Sequence, residues 1–387
     1  MGLDSMEVYV HIPFCKRKCL YCDFASCAGR GDSMEHYCRA LMKEIRLRAI
    51  ELGPVPISTA YIGGGTPSIL PPRLLSEVLD CLFDAFAPAE GAEITCEANP
   101  GTLTEEFLYM LRAHQVNRLS LGAQARQEKL LHTLGRIHNW EEVEDSVAMA
   151  RQAGFENLNI DLMFGLPDQT RADWQKTLEA ALALQPEHIS GYGLILEEGT
   201  VLYEQAARGE LNLPKEETER AMYGDTLRLL KEAGLKQYEI SNFARPKREC
   251  RHNLGYWQGA NYLGLGAAAH SRLDCDPGTG AYKRFGNTRN LEEYVKGMDS
   301  GVIPVEEWRV IPSREAEFET LMLGLRVTAG VKETDFLRRH GRTLQNAFGE
   351  KISPLVEKGL LKYAGGCLRL TRRGMDVQNA VLVELMD

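Results

Sequence analysis

From position 7 onward, short apolar or β-branched runs alternate with longer amphipathic stretches, the pattern of repeated strand-helix units built around a parallel sheet. Strands are predicted at 7–14, 59–63, 93–98, 118–123, 157–164 and 188–196, with helical periodicity at 33–52, 72–86, 104–114, 140–153 and 171–184. Six units are too few to close an eight-fold barrel. An open or partial barrel leaves a lateral mouth, and its ligand site is expected at the C-terminal ends of the strands. A helix over 216–233 and a strand-like run at 237–243 follow, then a stretch rich in glycine and aromatic residues at 251–272. After Pro304 the pattern changes to short helices and a hairpin-like run at 359–371, like a small winged-helix module. The expected architecture is therefore α/β: a partial (β/α)6 barrel over 1–245, a segment over 246–304 that completes and connects it, and a winged-helix-like domain over 305–387.

At 387 residues the chain is long enough for two or three domains, and 44% hydrophobic with 26% charged residues is ordinary globular composition. A formal net charge of -9 argues against general nucleic-acid binding, so the C-terminal module is expected to pack or act as a lid rather than grip DNA. No run of about 18 apolar residues and no signal-peptide pattern occurs, which predicts no membrane span and a cytoplasmic location. The ten cysteines are then expected to be reduced thiols rather than disulfides.

Three of those cysteines carry the chemistry. In His11-Ile-Pro-Phe-Cys-Lys-Arg-Lys-Cys-Leu-Tyr-Cys22, Cys15, Cys19 and Cys22 are separated by three and then two residues. A 4Fe-4S cluster normally takes four thiolates, so a three-cysteine loop leaves one iron open to a small molecule. Lys16, Arg17 and Lys18 are expected to lower the thiol pKa values and to offset cluster charge. A zinc site would ask for a fourth ligand and a second C-x2-C, which the chain lacks. The remaining motifs fall at predicted strand ends: Gly63-Gly-Gly-Thr-Pro67, Glu97, Gln124 and Asp161. Gly64, Gly65 and Thr66 suit close approach of backbone to a polar ligand, although a glycine triplet alone equally marks a turn.

Together with Tyr9-Val-His-Ile-Pro13, Leu134-Gly-Arg-Ile-His138 and Asp161-Leu-Met-Phe-Gly-Leu-Pro167, these motifs resemble the radical S-adenosylmethionine (SAM) enzymes. The resemblance is narrower to the branch holding oxygen-independent coproporphyrinogen III oxidase and its HemW-type relatives, and it spans nearly the whole chain. It implies a six-unit partial barrel and a cluster whose open iron binds SAM. It also implies SAM contacts at Glu97, Gln124, Arg136 and Asp161, with Tyr9, Tyr21, Ile195 and His270 at matching positions. Carboxylates suit ribose hydroxyls and an ammonium, and Arg136 suits a carboxylate. The bland alternative is a salt-bridge network at the strand ends with aromatic and aliphatic packing around it.

The oxidase branch carries a further cysteine two residues past the third; here Phe24 stands in that place. A second marker, His252-Asn-Leu-Gly-Tyr256-Trp257, belongs to the HemW-type proteins, which bind haem and are thought to deliver it to acceptor haemoproteins. Imidazole is a common axial ligand and Tyr256 and Trp257 offer flat apolar surface, so His252, Tyr256 and Trp257 are haem candidates beside a structural role for the histidine. His270 and Cys250 are further ligand candidates. The resemblance thus implies a haem chaperone carrying a 4Fe-4S cluster, SAM and haem, with coproporphyrinogen III oxidation as the rival activity.

Overall fold

The structure, a computed structural model, describes residues 4–275 and 278–386. Six parallel strands follow the predicted order: β1 (Met6–Ile12), β2 (Ile57–Gly64), β3 (Pro88–Ala98), β4 (Arg118–Gln124), β5 (Leu158–Phe164) and β6 (His188–Gly193). Each pairs with the next in sequence order. The intervening helices start where capping chemistry places them, with a Thr104 side chain accepting the Phe107 amide and full capping boxes at Asn139/Glu142 and Thr170/Asp173.

The strands alternate apolar and polar residues, and the two sets have different neighbours. Val8, Val10, Ala60, Ile62, Ile94, Cys96, Leu119, Leu121, Ile160 and Ile189 join one core beneath the helices. The opposite face carries Glu7, Tyr9, His11, Tyr61, Glu97, Ser120, Asp161 and His188, so the interior of the partial barrel is polar.

The sheet is wider than six units. Beyond β6 it adds β7 (Asn242–Ala244) and the short strand Lys236–Gln237, both antiparallel, where one run at 237–243 was expected. Against the other edge of β1 lies a seventh parallel strand, β8 (Tyr262–Leu265). Its glycine content hides it from propensity: a Cβ on Gly264 would sit 2.1 Å from the His270 carbonyl oxygen. Antiparallel β9 (His270–Asp274), β10 (Tyr282–Asn287) and β11 (Val305–Ile311) then complete a twelve-stranded sheet. The sheet thus continues past position 304, and β11 forms its edge.

Between β7 and β8, helix α1 (Arg251–Gln258) stoppers the N-terminal end of the barrel. Glu93 accepts the backbone amides of Arg251 and His252 at 3.1 and 3.2 Å, a carboxylate on the helix N-terminus. Gly255 lies against Glu7 so closely that a Cβ would fall 1.7 Å from its Oε1. The tail from helix α2 (Ser313–Gly324) onward has its own core of Leu321, Leu325, Phe336, Ile352, Leu368 and Leu385, over a three-stranded sheet, in the expected winged-helix-like arrangement. Among the described residues no helix is long and apolar enough to cross a membrane.

Gly255→Ala forces the stopper helix off Glu7. It is expected to lower unfolding free energy by about 1–3 kcal/mol, the usual cost of overpacking, read by urea denaturation against the parent chain.

Candidate functional site

The cysteine loop leaves β1 and is tied to the end of β2. Gly65 donates its amide to Ile12 O at 2.8 Å and Thr66 donates to Phe14 O at 2.7 Å, while Gly64 donates to Glu97 at 3.1 Å. All three amides are therefore committed within the protein. The glycines serve close packing of the loop on the sheet, since a Cβ on Gly65 would lie 2.5 Å from Phe14 O, rather than offering amides to a ligand.

The three thiols are half-exposed, and hydrogen-bond donors face two of them. Arg136 Nη1 stands 3.5 Å from Cys19 Sγ, and Thr66 Oγ1 stands 3.7 Å from Cys15 Sγ. Donors aimed at sulfur suit thiolates holding a metal cluster. Among the described residues no three His, Cys, Asp or Glu side chains converge as a single metal ion requires. A cubane takes each thiolate on a separate iron and does not ask for that convergence. Burial, not the neighbouring lysine, dominates Cys22, whose thiol is pushed up despite Lys18, contrary to expectation from the basic loop. Phe24, where a further cysteine would stand, is 63% exposed.

Arg136 also donates Nη2 to Asn99 Oδ1 at 2.6 Å and to the Gly122 carbonyl, and Asn99 donates to Thr66 at 2.8 Å. One cation thereby links the loop, β3 and β4. Glu97 accepts from Tyr61 at 2.8 Å, and burial, with Asp161 nearby, raises its carboxyl to about 7. Asp161 accepts from Ser120 at 3.0 Å and Asn159 at 2.8 Å, and Asn159 in turn meets His188 at 2.6 Å. Gln124 holds φ at 65°, a left-handed conformation rare for a side-chain-bearing residue, at the C-terminal end of β4. Tyr21 packs against a small apolar cluster that includes Leu131, Leu134, Met163 and Leu166. The structure thus gathers Cys15, Cys19, Glu97, Gln124, Arg136 and Asp161 around the strand ends. Ile195 does not join them: β6 stops at Gly193, and this side chain is 69% exposed. Tyr61, Asn99, Ser120, Asn159 and His188 were missed; their alternation with apolar residues was the available signal.

His252 and His270 separate sharply. His252 is 1% exposed, stacks on Tyr61 at 5.3 Å, and shares both ring nitrogens with protein hydroxyls, Nδ1 with Thr59 at 2.7 Å and Nε2 with Tyr256 at 2.9 Å. Burial lowers its pKa to about 3. Neither nitrogen is free for iron. The Cys250 thiol is fully buried, donates to Glu93 at 3.6 Å and is pushed up to about 12 by burial, so it is not a ready thiolate. His270 instead lines a cavity of about 540 Å³, within the range of about 300–1,000 Å³ usual for cofactor sites. Its side chain is 45% exposed, Nδ1 lies 3.9 Å from Glu307, and its ring lies over Gly286, where a Cβ would come within 2.7 Å. Tyr256, Trp257 and Tyr262 give the cavity aromatic walls, α2 contributes Met322 and Leu323, and Arg284 and Arg289 supply positive charge. Asp23, Phe24 and Ala25, directly after the third cysteine, border it too.

Comparison with known proteins agrees with this geometry. Residues 9–181 match the Radical SAM superfamily and residues 311–377 the HemN C-terminal domain. The chain is 37% identical to the heme chaperone HemW of Bacillus subtilis over 97% of both chains. It is 33% identical to the mitochondrial radical S-adenosyl methionine domain-containing protein 1 of Bos taurus, over 100% of this chain and 88% of that one. The solved structure of Escherichia coli coproporphyrinogen III oxidase superimposes with a TM-score of 0.85 over 99% of this chain and 90% of that one, at 23% identity, and so shares the fold.

Beneath the cavity, burial pushes Glu7 up to about 8, with Glu93 adding to the shift. The folded chain then keeps this proton where the unfolded chain, at an ordinary 4.5, has lost it, so stability falls as pH rises between those values. Glu7→Gln is expected to remove this group's part of the pH dependence, up to about 1.4 kcal/mol per pH unit across that window relative to the parent chain, as measured by denaturation at stepped pH.

Proposed function

Because the chain belongs to the HemW family within the radical SAM superfamily, we propose that it is a haem chaperone, which binds haem and passes it to acceptor haemoproteins. The observation that carries this reading is the cavity beside the cysteine loop. It combines an exposed imidazole, His270, with aromatic walls from Tyr256, Trp257 and Tyr262 and with guanidinium groups suited to carboxylates. In this reading His270 meets the haem iron, Tyr256 and Trp257 flank the macrocycle, and His252 holds the stopper helix in place.

Cys15, Cys19 and Cys22 would hold a 4Fe-4S cluster, and its open iron would take SAM. When bound, this pair supplies reductive carbon-sulfur cleavage chemistry. Glu97, Gln124, Arg136 and Asp161 border that end of the barrel and would orient the polar groups of SAM, while Arg136 also stabilises negative charge at Cys19. Asp23–Ala25 join the two sites, so cargo and cluster would lie side by side. The acceptor is proposed to approach the C-terminal module, which forms one wall of the cavity.

Anaerobic titration of cluster-reconstituted protein with haem is expected to saturate, with no protoporphyrinogen formed from coproporphyrinogen III in the presence of SAM and reductant. Turnover would instead assign the oxidase activity. His270→Ala is expected to change the haem absorbance spectrum and weaken binding about tenfold, whereas His252→Ala is expected to keep the spectrum and lose about 1–3 kcal/mol of unfolding free energy from unpaired buried groups.

A further inference from the structure

Three arginines face the cavity side of the antiparallel extension in direct cross-strand register, Arg272 opposite Arg284 and Arg284 opposite Arg309. Like charges placed opposite each other destabilise a sheet unless each is neutralised. Each has one carboxylate partner: Asp274 lies 3.1 Å from Arg272, Glu319 lies 3.3 Å from Arg284, and Glu315 lies 2.7 Å from Arg309. Asp274 belongs to the sheet itself. Glu315 and Glu319 are one turn apart on α2, the first helix of the C-terminal tail.

The middle arginine differs from its neighbours. Arg272 is buried, donates to the Gly259 and Ala260 carbonyls at 2.6 and 3.2 Å, and lies over the Tyr282 ring at 4.1 Å, so it is fixed in the protein. Arg309 does not line the cavity. Arg284 does, and it is 40% exposed; its counter-ion Glu319 lines the cavity too and also accepts from the Tyr282 hydroxyl. A carboxylate thus sits in the cavity on an arginine and a tyrosine, the donor pair that a carboxylate-bearing ligand would seek.

We infer that Glu319 is an internal stand-in for a ligand carboxylate. Resting on the haem reading above, one propionate of haem displaces it from Tyr282 and Arg284 and thereby loosens α2 from the sheet. Displacing Glu319 leaves Arg284 between two like charges, so the pair can open stably only when another anion replaces it. The Arg309–Glu315 pair persists, and α2 pivots rather than detaches. Loading of the cavity is in this way coupled to movement of the tail.

The test compares haem with haem dimethyl ester, whose propionates carry no charge, on the full-length reconstituted chain and on Glu319→Gln and Arg284→Gln. Glu319→Gln is expected to raise affinity for haem about tenfold, one charge-assisted hydrogen bond's worth, with little effect on the ester; Arg284→Gln is expected to erase the preference for haem over ester. Hydrogen exchange over 313–324 is expected to quicken in the parent chain on adding haem and to stay unchanged on adding ester. If the parent binds both porphyrins but Glu319→Gln leaves their affinity ratio unchanged, or exchange over 313–324 does not respond to haem, the latch is overturned while the haem reading stands. If the parent binds neither, the haem reading fails and the latch with it.

Discussion

Charge inside the barrel is the condition on which the rest of this fold depends. Seven parallel strands turn apolar side chains outward to the helices and polar ones inward, and a carboxylate or guanidinium removed from water costs several kcal/mol unless it is hydrogen-bonded or neutralised. The interior meets that demand in layers. At the N-terminal end Glu93 caps the stopper helix and His252 is closed off by Thr59 and Tyr256. In the middle, Ser120, Asn159 and His188 satisfy one another and Asp161. Toward the cysteine loop, Tyr61 and the Gly64 amide hold Glu97. Order at the cysteine-loop end is thus inherited from hydrogen bonding far below it.

That layering gives the His252-Asn-Leu-Gly-Tyr256-Trp257 run two jobs on one helix. Its first residue and its glycine face down into the barrel, where they seal it against Thr59 and Glu7. Its last two residues face the cavity and wall it. A run of this kind lines a cavity and seals the barrel at once, and residue type alone does not say which side chain does which. The histidine attracts attention as a ligand, but enclosure by two hydroxyls and a stacked tyrosine makes it part of the seal. His270, on a strand lying over a glycine, is the imidazole left open.

Much of the barrel was legible because period-two runs and capping signals are local properties. β1 through β6 appear in the predicted order, and the cysteine loop follows β1 as expected. What escaped had non-local causes. β8 is a four-residue run with a glycine required by a neighbouring carbonyl, and its strand character exists only because β1 offers an edge. The commitment of the Gly65 and Thr66 amides depends on Ile12 and Phe14, about fifty residues away in sequence, and that of the Gly64 amide on Glu97. Ile195 falls at a position that the family resemblance matches, but the strand expected to run to 196 ends at Gly193. The arginine ladder is invisible in sequence because register, not spacing, brings its members together.

The pairing of Glu7 with Tyr262 and of Val10 with Leu265 has a consequence for the order in which the protein is made. The cysteine loop is complete within the first 22 residues, and β2 can cover one side of β1 early. The other side waits for a strand synthesised near the end of the barrel. Until then β1 presents an open edge beside the cysteine loop, and the polar interior lacks its stopper. Contacts of such sequence separation close slowly, and unpaired edges are where nascent chains associate wrongly. The nascent chain's most vulnerable interval therefore ends with β8, long after its cysteine loop has left the ribosome.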